Sequence, residues 1–293
     1  MPEHLMPPLI SIILPCYDAV DTLPLALGSL RAQTVGDWEC LVVDDGCAVP
    51  VEPVVRAVGD GRIRVHRFEE NRGRGAARQK GLEMARGRYV CMLDADDWYY
   101  RDKLERQLEV MRRRPELGAV FMSMAVFRDV IGSDMALVGV STFTEEPFEV
   151  RKSRRHRPPQ VAFSTVMIRR HLAQRFRFDT DLRRAEDQDF FTRVLGGRHY
   201  GVLRDVGYAY RESWSPGAMG EALLAFRCRR RCCRRDFRRA PVAMGVQYAK
   251  TLLREGVYRA AGRVGGGRWL FERRNEVAGE EEIERFRREF RGS

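Results

Sequence analysis

Three short apolar runs in the first hundred residues each break off into a polar cluster, with helix-patterned sequence between them. Residues 9–14 lead into Pro15-Cys16-Tyr17-Asp18, residues 38–43 into Asp44-Asp45-Gly46, and residues 89–93 into Asp94-Ala95-Asp96-Asp97. Apolar runs of this length, closed by turn formers, read as strands buried on both faces. Leu23, Leu27 and Leu30 fall at helical spacing, a weaker helix follows near 51–58, and 75–85 reads as another. Residues 62–68 alternate polar and apolar, as a half-exposed strand does. Leu104, Leu108 and Met111 mark an amphipathic helix, with Pro115 just past its end. Strand and helix in alternation predict an α/β fold with a mainly parallel sheet and helices on both faces. Ligands of such sheets bind beyond the carboxyl ends of the strands, where all three polar clusters lie.

The third cluster is the most acidic. Side chains alternate along a strand, so Asp94 and Asp96 are expected to project to the same side. Two neighbouring carboxylates repel unless a cation sits with them. Hard oxygen ligands suit Mg²⁺ or Mn²⁺, and such an ion would hold a diphosphate. A strand-to-helix junction, with the aspartates as turn formers and caps, explains the same residues, and both readings stay open at this point.

A chain of 293 residues can bury a sizeable core as one large domain, or as a domain with an appendage. Hydrophobic content of 44% with 32% charged residues fits a globular soluble protein. The formal net charge of +11 predicts attraction to nucleic acid, an anionic membrane surface or phosphorylated substrates, without choosing among them. Seven cysteines without a repeating framework imply reduced thiols and a cytoplasmic setting. The start lacks a signal-peptide pattern, and no apolar stretch is long enough to span a bilayer.

Further along, 119–127 and 161–168 read as strands, 151–159 as a basic, mobile loop, and 187–195 as a helix entered from a polar turn. From about residue 215 the sequence becomes arginine-rich, with helical apolar spacing at Val242, Val246 and Leu253 and again at Ile283, Phe286 and Phe290. Gly265-Gly266-Gly267 separates the last two helical pieces. The expected division is a core over 1–215 and a basic helical appendage over 216–293. Gly73-Arg74-Gly75 does not follow the first strand and lacks the third glycine of a dinucleotide fingerprint, which excludes a dehydrogenase. Cys228, Cys232 and Cys233 lack paired zinc-site spacing and read as helical thiols.

Five segments, in order and spacing, resemble the family 2 glycosyltransferases, whose catalytic domain has the GT-A fold. They are Ile12-Ile13-Leu14-Pro15-Cys16-Tyr17-Asp18, Leu41-Val42-Val43-Asp44-Asp45-Gly46, Asn71-Arg72-Gly73-Arg74-Gly75-Ala76-Ala77-Arg78-Gln79, Met92-Leu93-Asp94-Ala95-Asp96-Asp97 and Glu186-Asp187-Gln188-Asp189. The resemblance covers roughly the first two thirds of the chain. Asp18, Cys47 and Gln79 replace the family's usual Asn, Ser and Asn, and all three are compatible with the fold.

The resemblance implies a nucleotide diphosphate sugar donor, a UDP-sugar, and inverting transfer to an acceptor hydroxyl. It implies a base-packing ring at Tyr17 and a backbone contact at Pro15, where a half-buried strand-end aromatic is the bland alternative. It assigns nucleoside reading to Asp45 with Asp44 beside it, against a plain turn, and a nucleotide contact to Arg78, against a solvated helix charge. It makes Asp94-Ala95-Asp96 the Asp-x-Asp element, with Asp94 and Ala95 on the donor, Asp96 and Asp94 on Mg²⁺ or Mn²⁺, and Asp97 as a helper. Asp187 becomes the base and Glu186 an orienting group, against carboxylates that only complement a helix dipole. The implied acceptor is a glycan or a lipid-linked one, in cell-envelope polysaccharide biosynthesis. A peripheral contact between the arginine run 227–239 and an anionic membrane on its inner face would suit that acceptor; a solvated helix face is the alternative. Two other functions compete: a basic nucleic-acid-binding protein, for which no recognition motif is present, and an inactive scaffold of the same fold.

Overall fold

The computed structural model describes residues 6–129, 135–212, 218–263 and 277–291. The first apolar runs form β1 (Ile10–Cys16) and β2 (Trp38–Asp44), both buried along their whole length. Then come β3 (Ile63–Arg67), β4 (Tyr89–Met92), β5 (Trp98–Tyr99), β6 (Leu117–Arg128), β7 (Ala136–Ser141), β8 (Phe148–Lys152), β9 (Met167–Arg169) and β10 (His199–Arg211). The helices are α1 (Leu23–Arg31), α2 (Glu52–Val58), α3 (Arg74–Met84), α4 (Lys103–Arg113), α5 (Arg170–Ala173), α6 (Glu186–Leu195), α7 (Ala218–Asp236), α8 (Pro241–Arg263) and, numbered over the described residues, α9 (Glu280–Arg291).

One sheet takes all ten of these strands, in the order β3-β2-β1-β4-β9-β6-β10-β5, with β7 on β6 and β8 on β10. The β3-β2-β1-β4 half is parallel, as the alternation predicts. Beyond it the sheet is mixed: β9 runs antiparallel to both β4 and β6, while β6 and β10 are parallel. The register sets Cys16 beside Asp44 and Ile13 beside Met92, so the three polar clusters emerge side by side.

Alternation along β1 builds a layer on each face. Ile10, Ile12 and Leu14 pack with Leu23 and Leu27 of α1 and Leu104 and Leu108 of α4. Ile13 turns the other way, onto Leu82 of α3 and Phe190 and Phe191 of α6. A Cβ at Gly81 would lie 2.4 Å from Ile13 Cγ2, so glycine sets how closely α3 approaches the sheet.

Several expected elements differ. The strand read over 161–168 is a 3₁₀ turn (Phe163–Thr165) followed by β9, because Thr165 turns back to hydrogen-bond Ala162 O at 2.8 Å. The basic loop begins inside β8, which pairs with β10, so its first two residues belong to the sheet. The 215/216 division and Gly265-Gly266-Gly267 lie outside the described residues. Beyond that division α7 and α8 pack on each other, whereas α9 returns to the sheet. Its Phe286 is fully buried against Trp98 and Phe127, and Arg285 pairs with Asp102 at 2.9 Å. All seven cysteines are unpaired. Among the described residues no helix is long and apolar enough to cross a membrane.

Lys103 is fully buried in α4, its Nζ donating to Gln107 Oε1 at 2.8 Å and lying 4.1 Å from the centroid of the Tyr99 ring. Burial pushes its amine down from 10.5 to about 8. Between those values the unfolded chain binds a proton that the folded chain does not, so stability rises with pH across the window. The expected gain is about 2–3 kcal/mol by pH 10 relative to pH 7. Urea unfolding of the parent and Lys103→Met at the two pH values measures it; equal slopes would refute the assignment.

Candidate active site

The rim is built from three backbone departures. After β1, Tyr17 stands half exposed and Asp18 takes a left-handed φ of 48°, with its Oδ1 accepting the Ala48 N–H at 3.3 Å. Asp tolerates that region as Asn does, so the substitution is conformationally neutral. Pro15 is buried within β1, opposite Val43.

After β2 the chain turns at Gly46, where φ is +71° and a Cβ would meet the Glu70 backbone at 2.5 Å. Both aspartates before it are buried and engaged. Asp44 accepts from the Cys47 N–H at 2.8 Å and from Arg67 Nη1 at 2.6 Å. Asp45 takes the Arg72 and Gly73 N–H groups at 2.8 and 2.9 Å, which fixes the loop that opens α3. Burial raises the Asp45 carboxyl, and those two amides oppose the shift.

The third departure corrects an expectation. β4 ends at Met92, and Asp94 to Asp97 form a turn closed by Asp97 N–H donating to Asp94 O at 3.1 Å. Strand alternation therefore does not orient Asp94 and Asp96; the turn does. Ala95 is buried, its carbonyl accepting from the Thr22 hydroxyl at 2.9 Å. Asp97 is fully buried, with both carboxylate oxygens engaged. Its Oδ2 accepts from Tyr208 at 2.6 Å and its Oδ1 from the Arg211 N–H at 2.8 Å, tying the turn to β10. Burial, then Asp96 and Asp94, push its carboxyl well above the usual range.

Arg78 of α3 sits between two of these clusters. It is buried, Nη1 donating to Glu186 Oε1 at 2.6 Å and Nη2 to Asp94 Oδ1 at 2.8 Å, with Arg74 Nε 3.6 Å from the same Glu186 oxygen. The residue expected to contact the nucleotide thus spends both guanidinium ends on carboxylates. Burial raises the Asp94 carboxyl, but Arg78 and Arg74 outweigh it and the net shift is downward. For Glu186 burial wins and the shift is upward; its Oε2 is buried with no hydrogen-bond partner among the described residues.

Glu186 and Asp187 open α6 from a left-handed Ala185 (φ 60°), with Asp189 also in the first turn. Asp187 Oδ1 accepts the Gln188 N–H at 2.6 Å. Asp189 is taken up elsewhere, by Arg193 and by Arg235 of α7. Asp96 is half-buried and has no ion-pair partner among the described residues; burial and the Asp94 charge raise its carboxyl. Arg211 was missed by sequence reasoning. It braces the turn through the Asp96 carbonyl at 2.9 Å, from 115 residues away, and no local pattern signals that.

The sequence profile of glycosyl transferase family 2 matches residues 11–176, more than half of the chain, and the chain belongs to that family. Among its relatives is the Escherichia coli UDP-Glc:alpha-D-GlcNAc-diphosphoundecaprenol beta-1,3-glucosyltransferase WfgD, 37% identical over 103 residues. That match covers 35% of this chain and 41% of WfgD, so it spans less than half of that relative's length. S. aureus TarS in complex with UDP-GlcNAc superposes with a TM-score of 0.61 at 19% identity, over 84% of this chain and 72% of that one. The mannosyltransferase PcManGT from Pyrobaculum calidifontis, in complex with GDP-Man and Mn²⁺, does so with 0.60 at 19%, over 91% and 78%. The fold is GT-A.

Proposed function

We propose that the chain moves a sugar from a nucleotide diphosphate sugar, a UDP-sugar, to a hydroxyl of a glycan or lipid-linked acceptor, with inversion and with Mg²⁺ or Mn²⁺, in cell-envelope polysaccharide synthesis. The observation that carries this reading is the buried bridge Asp94–Arg78–Glu186, which joins the acidic turn after β4 to the start of α6. The donor class is supported by UDP-GlcNAc in TarS and UDP-Glc in the name of WfgD, the metal by Mn²⁺ with PcManGT, and the lipid-linked acceptor by the name of WfgD.

Asp96 fits a hard cation, being an unpaired, half-buried carboxylate beside a second one. Among the described residues no cluster of three His, Cys, Asp or Glu side chains converges. The chain would therefore offer Asp96 with Asp94 and leave the remaining positions to phosphate and water. Bound there, the ion supplies Lewis-acid stabilisation of the departing diphosphate. The chain's own residues do the rest. Arg78 fixes Asp94, Tyr17 offers its exposed ring to the base, and Arg74, 40% exposed, adds positive charge at the rim. Asp187 takes the acceptor hydroxyl proton on Oδ2, since Oδ1 already holds the Gln188 N–H.

A panel of nucleotide sugars with Mn²⁺, scored for slow release of UDP or GDP, tests the donor without knowledge of the acceptor. Mn²⁺ with UDP is expected to raise the melting temperature, by about 2.7 kcal/mol of stabilisation at a hundred times Kd. Asp96→Ala should lose the metal-dependent part of that shift and keep its circular dichroism. No donor hydrolysed and no shift in the parent would refute the reading.

A further inference from the structure

We infer that α8 is a docking face that seats this protein on an anionic bilayer surface. The inference adds a surface to the reading above and does not depend on the donor chemistry.

A periodic apolar stripe ordinarily marks the buried side of a helix. In α8 the buried side holds Met244, Thr251 and Glu255, and the opposite side is apolar. Val242 is 80% exposed, Val246 50%, Leu253 72% and Val257 51%, with Ala249 and Ala260 also exposed. At 3.6 residues per turn these six fall within about 80° of arc, along about 27 Å of helix. Such a continuous outward stripe marks a contact surface.

The charge around it identifies the occupant. Residues 218–263 hold twelve Arg and Lys against three Asp and Glu, so this hairpin carries most of the chain's net +11. Lys250, Arg254 and Arg263 lie beside the stripe, exposed and without an ion-pair partner among the described residues. The arginine run that the sequence singles out is more committed. Arg230 pairs with Glu255, Arg231 with Asp181 at 2.6 Å, and Arg235 with Asp179 and Asp189 at 3.0 and 2.5 Å. Arg231 and Arg235 fasten the hairpin to the core and Arg230 ties α7 to α8, so the lipid contact falls to α8. A second copy would bring two strongly positive hairpins together, and nucleic acid has no apolar layer for aliphatic side chains. An anionic bilayer satisfies both features, the stripe entering the headgroup–acyl boundary and the cations meeting phosphate.

The test is flotation of the full-length protein with phosphatidylcholine vesicles and with vesicles also containing phosphatidylglycerol, at low and high salt. The parent should float with the anionic vesicles and lose most of that binding in high salt. Val246→Glu with Leu253→Glu should weaken flotation about tenfold or more, and Lys250→Glu with Arg254→Glu should weaken mainly its salt-sensitive part. Circular dichroism and the Mn²⁺–UDP melting shift should stay at parental values in both variants, which separates failure of this surface from failure of the donor site. Equal binding to neutral vesicles, glutamate variants that float like the parent, or a stable dimer in sedimentation that the same substitutions dissolve would overturn the inference.

Discussion

Asp187→Asn is expected to lower donor-to-acceptor turnover by about 10²–10⁴-fold, the range for loss of a positioned general base, with donor binding intact. Two roles compete for this carboxylate, and they differ in what they move. As a dipole partner in the first turn of α6 it contributes about 0.3–1 kcal/mol to stability and nothing to chemistry. As a base it contributes to chemistry and little to stability. Asparagine keeps the shape and an oxygen for the Gln188 N–H, so the helix start survives. Turnover at saturating donor, the Mn²⁺–UDP melting shift and the urea midpoint, measured together, separate the two. Parental turnover with a slightly lower midpoint would leave Asp187 a structural residue.

The second large effect falls on stability. Arg78→Met removes the only cation hydrogen-bonded to both Asp94 and Glu186 among the described residues, leaving two carboxylates in a buried site. Breaking a buried pair on one side costs about 3–5 kcal/mol, because the uncompensated charge stays behind. Arg78→Lys should recover only part of this, since an ammonium cannot span both carboxylates with a fixed fork. Adding Glu186→Gln to Arg78→Met should restore part of the loss, because one stranded charge is gone. Urea unfolding of the three variants and the parent gives the numbers. A loss below about 1 kcal/mol for Arg78→Met would mean that the bridge is open to water and screened.

Much of the rim was legible because its signals are local. Apolar runs closed by Asp-Asp-Gly or Asp-Ala-Asp-Asp specify strands and turns within a few residues, and parallel pairing then brings their ends together. Gly46 was readable as a turn residue for the same reason. The expected strand at 161–168 holds only at its end, in β9, because a short apolar run says nothing of the hydroxyl that turns Thr165 back on Ala162. Asp97 looked like one more rim carboxylate, since its partners Tyr208 and Arg211 come from more than a hundred residues away.

The sequence by itself determined the α/β alternation, the position of the first three polar clusters at strand ends and the helical character of the tail. These follow from backbone propensity and side-chain periodicity, which act over one or two turns or a few strand residues. Only the tertiary structure decided which carboxylates Arg78 joins, that Asp97 is a brace, that α9 belongs to the core, and that the apolar side of α8 faces outward. Periodicity tells which residues share a face. What that face meets depends on contacts between segments far apart in the chain, and those exist only once the chain has folded.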